Sequence, residues 1–228
     1  IPVALGLGTA FGAGMGFLIQ RYDLPPFLVT LAGMFFARGM AFVVSSESLA
    51  IDHGFYGAVQ DFKLSVGPKA NLKAVALIFV AALAVAVFVA HWTPFGRNVY
   101  ALGGSESSAR LMGLPVARTK VLVYAVNGFC SALAGVVATL YMGSGNPAMG
   151  YGLELDAIAS VVIGGTLLTG GVGFVAGTLG GVLIFGTIQS AIIFDGSLNS
   201  SWLRIAIGAL LLLFILMQRY LTRLTTSQ

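Results

Sequence analysis

Few residues of this chain could make or break bonds, and their spacing argues against it. Gly143-Ser144-Gly145 has the outline of a nucleophile turn, and His53 and His91 are the histidines that could serve it as a base. A serine nucleophile needs its base within hydrogen-bond reach. The topology argued below puts Ser144 and His91 on opposite faces of a bilayer, and His53 stands in a connection with no other matching feature. The single cysteine, Cys130, cannot pair within its own chain, and with His53 and His91 it is too scattered for metal-ligand spacing. Gly171-Val172-Gly173 is no phosphate cradle, because such a glycine loop follows a strand in an α/β unit. The sequence contains no Gly-x-x-x-x-Gly-Lys-Ser/Thr loop either. What remains is recognition, packing and movement.

Composition fixes the setting. Of 228 residues only 9% are charged and 57% are hydrophobic, against about 25% charged in an ordinary globular chain. The charge-free stretches approach the roughly 20 residues that cross a hydrocarbon core. A net charge of +4 is small, and its carriers gather in connections, which excludes a nucleic-acid partner. Seven apolar segments can be drawn: Pro2 to Ile19, Phe27 to Ser45, Ala74 to Trp92, Val121 to Met142, Ala157 to Leu168, Phe174 to Phe194 and Trp202 to Gln218. They are continuously apolar, so helices are expected and not the alternating strands of a barrel. The expected fold is all-α, a polytopic transmembrane helical bundle forming one domain over 1–228. The fifth segment is short and carries Gly164-Gly165, which predicts a broken or tilted helix. The chain begins with Ile1-Pro2, already apolar, and is expected to be truncated at its N-terminus, with helices upstream.

Lysine and arginine set the orientation. Residues 93–120 carry Arg97, Arg110, Arg118 and Lys120 against one acid, Glu106, and the tail carries Arg219 and Arg223. Both belong in the cytoplasm. Residues 143–156 carry only Glu154 and Asp156 and belong outside. Three segments separate that link from the tail, the odd number that this requires. Residues 46–73, also outside, balance Glu47, Asp52 and Asp61 against Lys63, Lys69 and Lys73, and are expected to hold small helices.

Glycine is unusually frequent, 31 residues, about twice average usage. Gly8, Gly12 and Gly16 form one small-xxx-small stripe and Gly173, Gly177 and Gly181 another. With Gly164 and Gly165 they are read as helix-packing positions, where a bare face lets backbones approach.

Within 93–120 the signals spell a short helix, Glu106 to Met112. Ser105 is a good N-cap, Glu106 sits at the positive end of the dipole, and Arg110 lies four residues on. Gly113 is placed for a C′ stop and Pro115 forbids continuation. About 10 Å of helix is marginal unless it docks. Its apolar residues Leu111 and Met112, with Leu114 beyond, have two candidate supports, the protein's own helix ends or a partner.

Polar side chains at membrane depth are the candidates for a solute pathway. Arg38 falls within an apolar segment, where an ionisable residue points to function and snorkelling or a structural pair is the rival account. Asn127 and Gln189 fit either interhelical hydrogen bonding or solute contact. Glu154 and Asp156 open the fifth segment, as a gate, as a contact for a partner, or as a solvated helix start. Tyr141, Tyr151 and Trp202 fit interfacial anchors.

Three blocks carry a resemblance to a known family. They are Gly96-Arg97-Asn98-Val99-Tyr100-Ala101-Leu102-Gly103-Gly104 with Ala109-Arg110-Leu111-Met112-Gly113-Leu114; Gly152 to Thr166 with Gly170-Gly171-Val172-Gly173; and Pro25-Pro26-Phe27-Leu28-Val29-Thr30-Leu31 with Arg38-Gly39. Together they resemble the permease subunits of sugar ABC importers of the ribose/xylose/galactose type, and among these most the galactofuranose importer permeases. One departure is Ser105, where the family usually has Asn; a capping residue is kept. At about 20 residues a span, the resemblance implies about ten transmembrane helices in the intact subunit. It implies a multi-pass protein of the bacterial inner membrane, in contact with lipid, paired with a second permease subunit, identical or related. Further implied partners are a cytoplasmic ABC ATPase, a periplasmic sugar-binding protein and a monosaccharide substrate. The chain itself would be non-catalytic and bind no cofactor, with ATP and Mg on the ATPase. Gly96, Arg97, Gly103, Gly104, Ser105, Glu106, Ala109, Arg110, Leu111, Met112 and Gly113 would form the segment that couples to that ATPase, with Glu106 to Met112 as the coupling helix.

Other functions are weighed on the residues. An ion-driven transporter commonly carries acids or histidines inside the membrane, and none of the eight acids falls in the middle of an apolar segment. An ABC permease for a branched-chain amino acid or a nucleoside is the nearer alternative.

Overall fold

The structure is a computed structural model that describes residues 1–67, 70–168 and 170–195, together with 205, 208, 209, 212–214, 216 and 217. Its elements in chain order are α1 (Pro2–Tyr22), α2 (Pro26–Val44), β1 (Leu49–Ala50), α3 (Gly54–Asp61), β2 (Lys63–Gly67), β3 (Ala70–Lys73), α4 (Ala74–Trp92), α5 (Pro94–Gly104), α6 (Glu106–Leu111), α7 (Val116–Met142), β4 (Ser144–Gly145), α8 (Leu153–Ile163) and α9 (Val175–Asp195). Contacts divide the chain into two units. One comprises Ile1–Ala84 with Ala109–Met149, the other Val85–Ser108 with the described residues from Gly150 onward.

Among the described residues five helices are long and apolar enough to cross a membrane: α1, α2, α4, α7 and α9. Large apolar side chains such as Phe17, Phe35, Phe36, Val44, Phe88 and Leu183 point outward, whereas the buried set includes Ile19, Ala109, Ala125, Ala159 and Val162. A chain in lipid has no reason to hide its large apolar groups and every reason to bring small residues together.

One of the seven expected segments is cut short. The fifth becomes α8, 11 residues or about 16 Å of rise, half of a hydrocarbon core of about 30 Å. It ends early because Gly165 takes φ 90°. There the Gly165 N–H donates to the Val162 carbonyl at 3.0 Å and the Thr166 N–H to the Val161 carbonyl at 3.2 Å. This is the glycine-terminated helix end of the Schellman type. Gly165 therefore supplies a backbone conformation, not the packing surface expected of it; a Cβ on it would meet nothing within 4 Å. The seventh segment, Trp202 to Gln218, lies largely outside the described residues. In addition α7 starts at Val116, not Val121, and so carries Arg118 and Lys120 on its first turns.

The first unit is built on α1 against α7. A Cβ at Gly8 would lie 2.8 Å from the Gly128 carbonyl oxygen, one at Gly12 would meet the Tyr124 carbonyl, and one at Gly16 would lie 2.9 Å from Tyr124 Cβ. The stripe of three glycines thus faces a matching gap at Gly128 on α7. Outside these spans, β1 pairs antiparallel with β4, Leu49 opposite Gly145 and Ala50 opposite Ser144. Instead of several small helices, residues 46–73 form α3 and the β2–β3 hairpin, with Lys63 opposite Lys73. Gln60 Nε2 donates to the Leu140 carbonyl at 2.9 Å, and Lys73 Nζ stands 5.3 Å from the centre of the Tyr141 ring. Both contacts tie this connection to the end of α7.

In the second unit the other glycine stripe meets α8. A Cβ on Gly164 would lie 2.6 Å from the Gly177 carbonyl oxygen, and Gly181 closes on the Ser160 carbonyl. A Cβ on Gly173 would lie 2.9 Å from Thr166 Cγ2.

A bulky residue in the α1–α7 seam must push two backbones apart. Gly12→Leu should lower the stability of the purified protein by about 1–3 kcal/mol or more, read as a fall in thermal unfolding temperature in detergent. Gly6→Leu on the same helix, where a Cβ meets nothing within 4 Å, should leave it unchanged.

Candidate coupling segment and solute pathway

The basic connection is more ordered than a loop with one helix. Thr93 Oγ1 donates to the Val89 carbonyl at 2.6 Å and accepts from the Gly96 N–H at 3.2 Å, so one side chain ends α4 and starts α5. Pro94 fills the first position of α5, where a missing N–H costs nothing. Gly96 is buried in the turn, and a Cβ there would collide with the Ala90 and Val89 carbonyls. Helix α5 was not foreseen; its signal was Thr93-Pro94, a cap followed by a favoured first residue.

Ser105 joins the next two helices. Its backbone is extended and its N–H donates to the Ala101 carbonyl at 3.2 Å, while its Oγ accepts from the Ser108 N–H at 3.2 Å. It is the N-cap expected for the short helix, which runs Glu106–Leu111, one residue shorter than drawn. The stop falls at Gly113, with φ 74°. The Gly113 N–H donates to the Arg110 carbonyl and the Leu114 N–H to the Ala109 carbonyl, both at 3.1 Å. Helices α6 and α8 thus end by the same device.

The two faces of α6 differ sharply. Ala109 is fully buried, whereas Leu111 is 90% and Met112 67% exposed. Arg97 and Arg110 are exposed as well, and Glu106 is half-buried. A capped helix of six residues, with Met112 just past its end, therefore holds two apolar side chains and basic neighbours out from the protein. Gly104 has open space around it, while Gly103 faces Gly171, whose N would lie 3.0 Å from a Cβ at Gly103.

Helix α5 also touches the connection between α8 and α9. Tyr100 Oη donates to the Gly173 carbonyl at 2.8 Å, beside the Gly103 contact with Gly170 and Gly171. Gly170 and Gly171 have φ of 87° and 81°, a conformation that side chains disfavour. Tyr100 lies in the resembling block, but nothing in its local pattern marks it for this bond.

The pathway candidates fall in both units, Arg38 and Asn127 in the first and Glu154, Asp156 and Gln189 in the second. Arg38 is half-buried on α2, Asn127 exposed on α7 and Gln189 half-buried on α9. Glu154 and Asp156 share the first turn of α8. Burial, with the Glu154 carboxylate adding to it, pushes the Asp156 carboxyl above its ordinary range. Ser144 takes part in the β1–β4 pairing, and His91 Nδ1 lies 3.0 Å from the Val87 carbonyl oxygen. Each has a structural occupation.

A multi-pass helical membrane protein with a short capped helix displayed between two longer ones is the class these features define. Comparison with known proteins agrees. The family described as branched-chain amino acid transport system / permease component matches residues 1–216, and this chain belongs to it. The chain is 48% identical over 221 residues to the inner membrane ABC transporter permease protein YjfF of Escherichia coli K12, covering 97% of this chain and 67% of that protein. It is 41% identical to the fructose import permease protein FruG of Bifidobacterium longum, covering 95% and 65%. It is 38% identical to the ribose import permease protein RbsC of Haemophilus influenzae, covering 97% and 68%. The chain thus spans about two thirds of the length of these relatives. No solved structure matches it. It is a multi-pass protein of the inner membrane.

Two expectations follow from this geometry. Because the Asp156 carboxyl is raised, its contribution to stability is fully present below the usual carboxylate range and is lost as pH rises through the raised value. Unfolding followed against pH should show that loss in the wild type and not in Asp156→Asn. Tyr100→Phe removes one hydrogen bond and leaves the Gly173 carbonyl without this donor, so stability should fall by about 1 kcal/mol, measured by thermal unfolding.

Proposed function

We propose that this chain is the membrane-spanning permease part of an ATP-driven ABC importer. It forms the translocation pathway for a monosaccharide by alternating access and is driven by a separate cytoplasmic ATPase. The observation that carries the reading is α6: a helix too short to persist alone, capped at both ends, presenting Leu111 and Met112 to the outside. Exposed apolar anchors ringed by charge are what a docking partner covers. The positive residues of 93–120 favour a cytoplasmic position for that surface, and a separate ATPase chain is the reading's source of nucleotide chemistry. The relatives named for ribose and fructose import support a sugar as cargo. A second permease subunit completes the pathway, and an external sugar-binding protein delivers to the side where 46–73 and 143–156 lie. This subunit performs no hydrolysis.

The family's own description names branched-chain amino acids, which keeps that cargo as the second reading. Uptake measured with labelled monosaccharides and labelled leucine separates the two.

A charge at a buried interface anchor costs about 2 kcal/mol or more, about thirtyfold in affinity. Leu111→Asp should therefore abolish capture of the ATPase and uptake, while membrane insertion and yield stay normal. Uptake should also survive collapse of the proton gradient and stop when the ATPase is disabled. Normal uptake by Leu111→Asp would remove α6 from the coupling role.

A further inference from the structure

The cleft between the end of α1 and the start of α7 has no place in the transport reading. It has a volume of about 680 Å³ and is lined by Phe17, Gln20, Arg21, Ala117, Arg118, Val121 and Leu122. Arg21 lies in the last turn of α1 and Arg118 in the first turns of α7, so both stand where two membrane helices reach the bilayer surface. Neither guanidinium has an ion-pair or hydrogen-bond partner among the described residues. Asp23, the nearest acid along α1, makes no ion pair there either. Below the arginines the wall turns apolar, through Phe17, Val121 and Leu122.

One further group makes this more than a basic patch. Gln20 Oε1 is enclosed and has no hydrogen-bond partner among the described residues. A buried acceptor left unpaired costs roughly 1–3 kcal/mol, so something should donate to it. With the amide turned over, its NH2 would occupy the same place and need an acceptor. A ligand with both hydroxyl and phosphate groups answers either arrangement. The helix ends do not decide the charge preference, because the positive start of α7 faces the negative end of α1. The two arginines decide it.

We propose that this cleft binds an anionic phospholipid whose headgroup carries hydroxyls, a phosphatidylglycerol-like molecule. The phosphate sits between Arg21 and Arg118, a headgroup hydroxyl meets Gln20, and the start of an acyl chain lies along Phe17, Val121 and Leu122. Basic pockets between transmembrane helices recognise lipid headgroups in this way. The assignment needs the membrane but not the coupling role of α6, so the two can fail independently.

The test uses the full-length permease, purified in detergent and mixed with phosphatidylglycerol or phosphatidylcholine, with retained lipid counted by native mass spectrometry. Phosphatidylglycerol should be retained in preference. Arg21→Gln and Arg118→Gln should each lower its retention about fivefold, the scale of one basic residue at an anionic surface, and Arg21→Lys should keep most of it. Leu122→Trp, which fills the cleft without changing charge, should reduce retention as well, so the result does not hang on the arginine variants folding. Millimolar inorganic phosphate should not displace the lipid. A photo-reactive side chain at position 122 should cross-link to lipid in membranes. Equal retention of both lipids, indifference to the arginine changes, displacement by phosphate alone, or cross-linking to polypeptide instead of lipid would each overturn the proposal.

Discussion

Backbone must meet backbone without water, and the rest of this structure follows from that. In a bilayer the hydrophobic effect does not drive helices together, so their contacts rest on close packing, and no solvent satisfies a stray peptide group. Glycine answers the first demand at Gly8, Gly12, Gly128, Gly164, Gly177 and Gly181, where a Cβ would press on a neighbouring helix. It answers the second at Gly113 and Gly165, whose positive φ lets the last carbonyls of α6 and α8 be bonded as the helices stop. The same residue therefore builds the seams and ends the helices. Which role it plays is set by whether it faces another chain segment or a turn.

That duality marks the limit of what could be read in advance. Ala74–Trp92 was legible at both ends because a charged Lys73 and the Thr93-Pro94 pair bound an uninterrupted apolar run. The short helix was legible because its cap and its stop are local chemistry, residues that act within four positions of themselves. Gly165 was misassigned because sequence shows that a glycine is present, not the sign of its φ. Helix α7 begins earlier than its apolar run because Arg118 and Lys120 keep long side chains that can reach the surface while their backbone stays helical. The β1–β4 pairing joins residues about a hundred positions apart through two residues on each side. No local pattern can announce it.

Helix α5 was missed for a related reason. It carries Gly96 in its first turn and ends in Gly103-Gly104, and such glycines argue against a helix. What holds it is tertiary: the Thr93 cap, the buried Gly96 turn and the Tyr100 bond to Gly173. The pathway was the least legible part of all. Arg38, Asn127, Gln189, Glu154 and Asp156 were chosen for polarity in an apolar context, and polarity does not say which helices stand together. Only the pair on a single helix turn, Glu154 and Asp156, needed no tertiary knowledge.

On the proposed reading, a movement at α6 has to travel, and the contacts of α5 decide what it can carry. A push is carried by Gly103 against Gly170 and Gly171, where the backbones leave no room for a side chain between them and there is little slack to take up. A pull has no such support. It rests on the Tyr100 hydrogen bond at 2.8 Å, worth about 1 kcal/mol net, and on apolar contact. A link that is stiff in compression and weak in tension moves the α8–α9 connection firmly one way and lets it return on its own. That asymmetry suits a cycle in which ATP binding does the work and release only permits relaxation. Gly173 stands just ahead of α9, which begins at Val175, so such a push would reach α9 first and pass to the half-length α8 through Gly177 on Gly164.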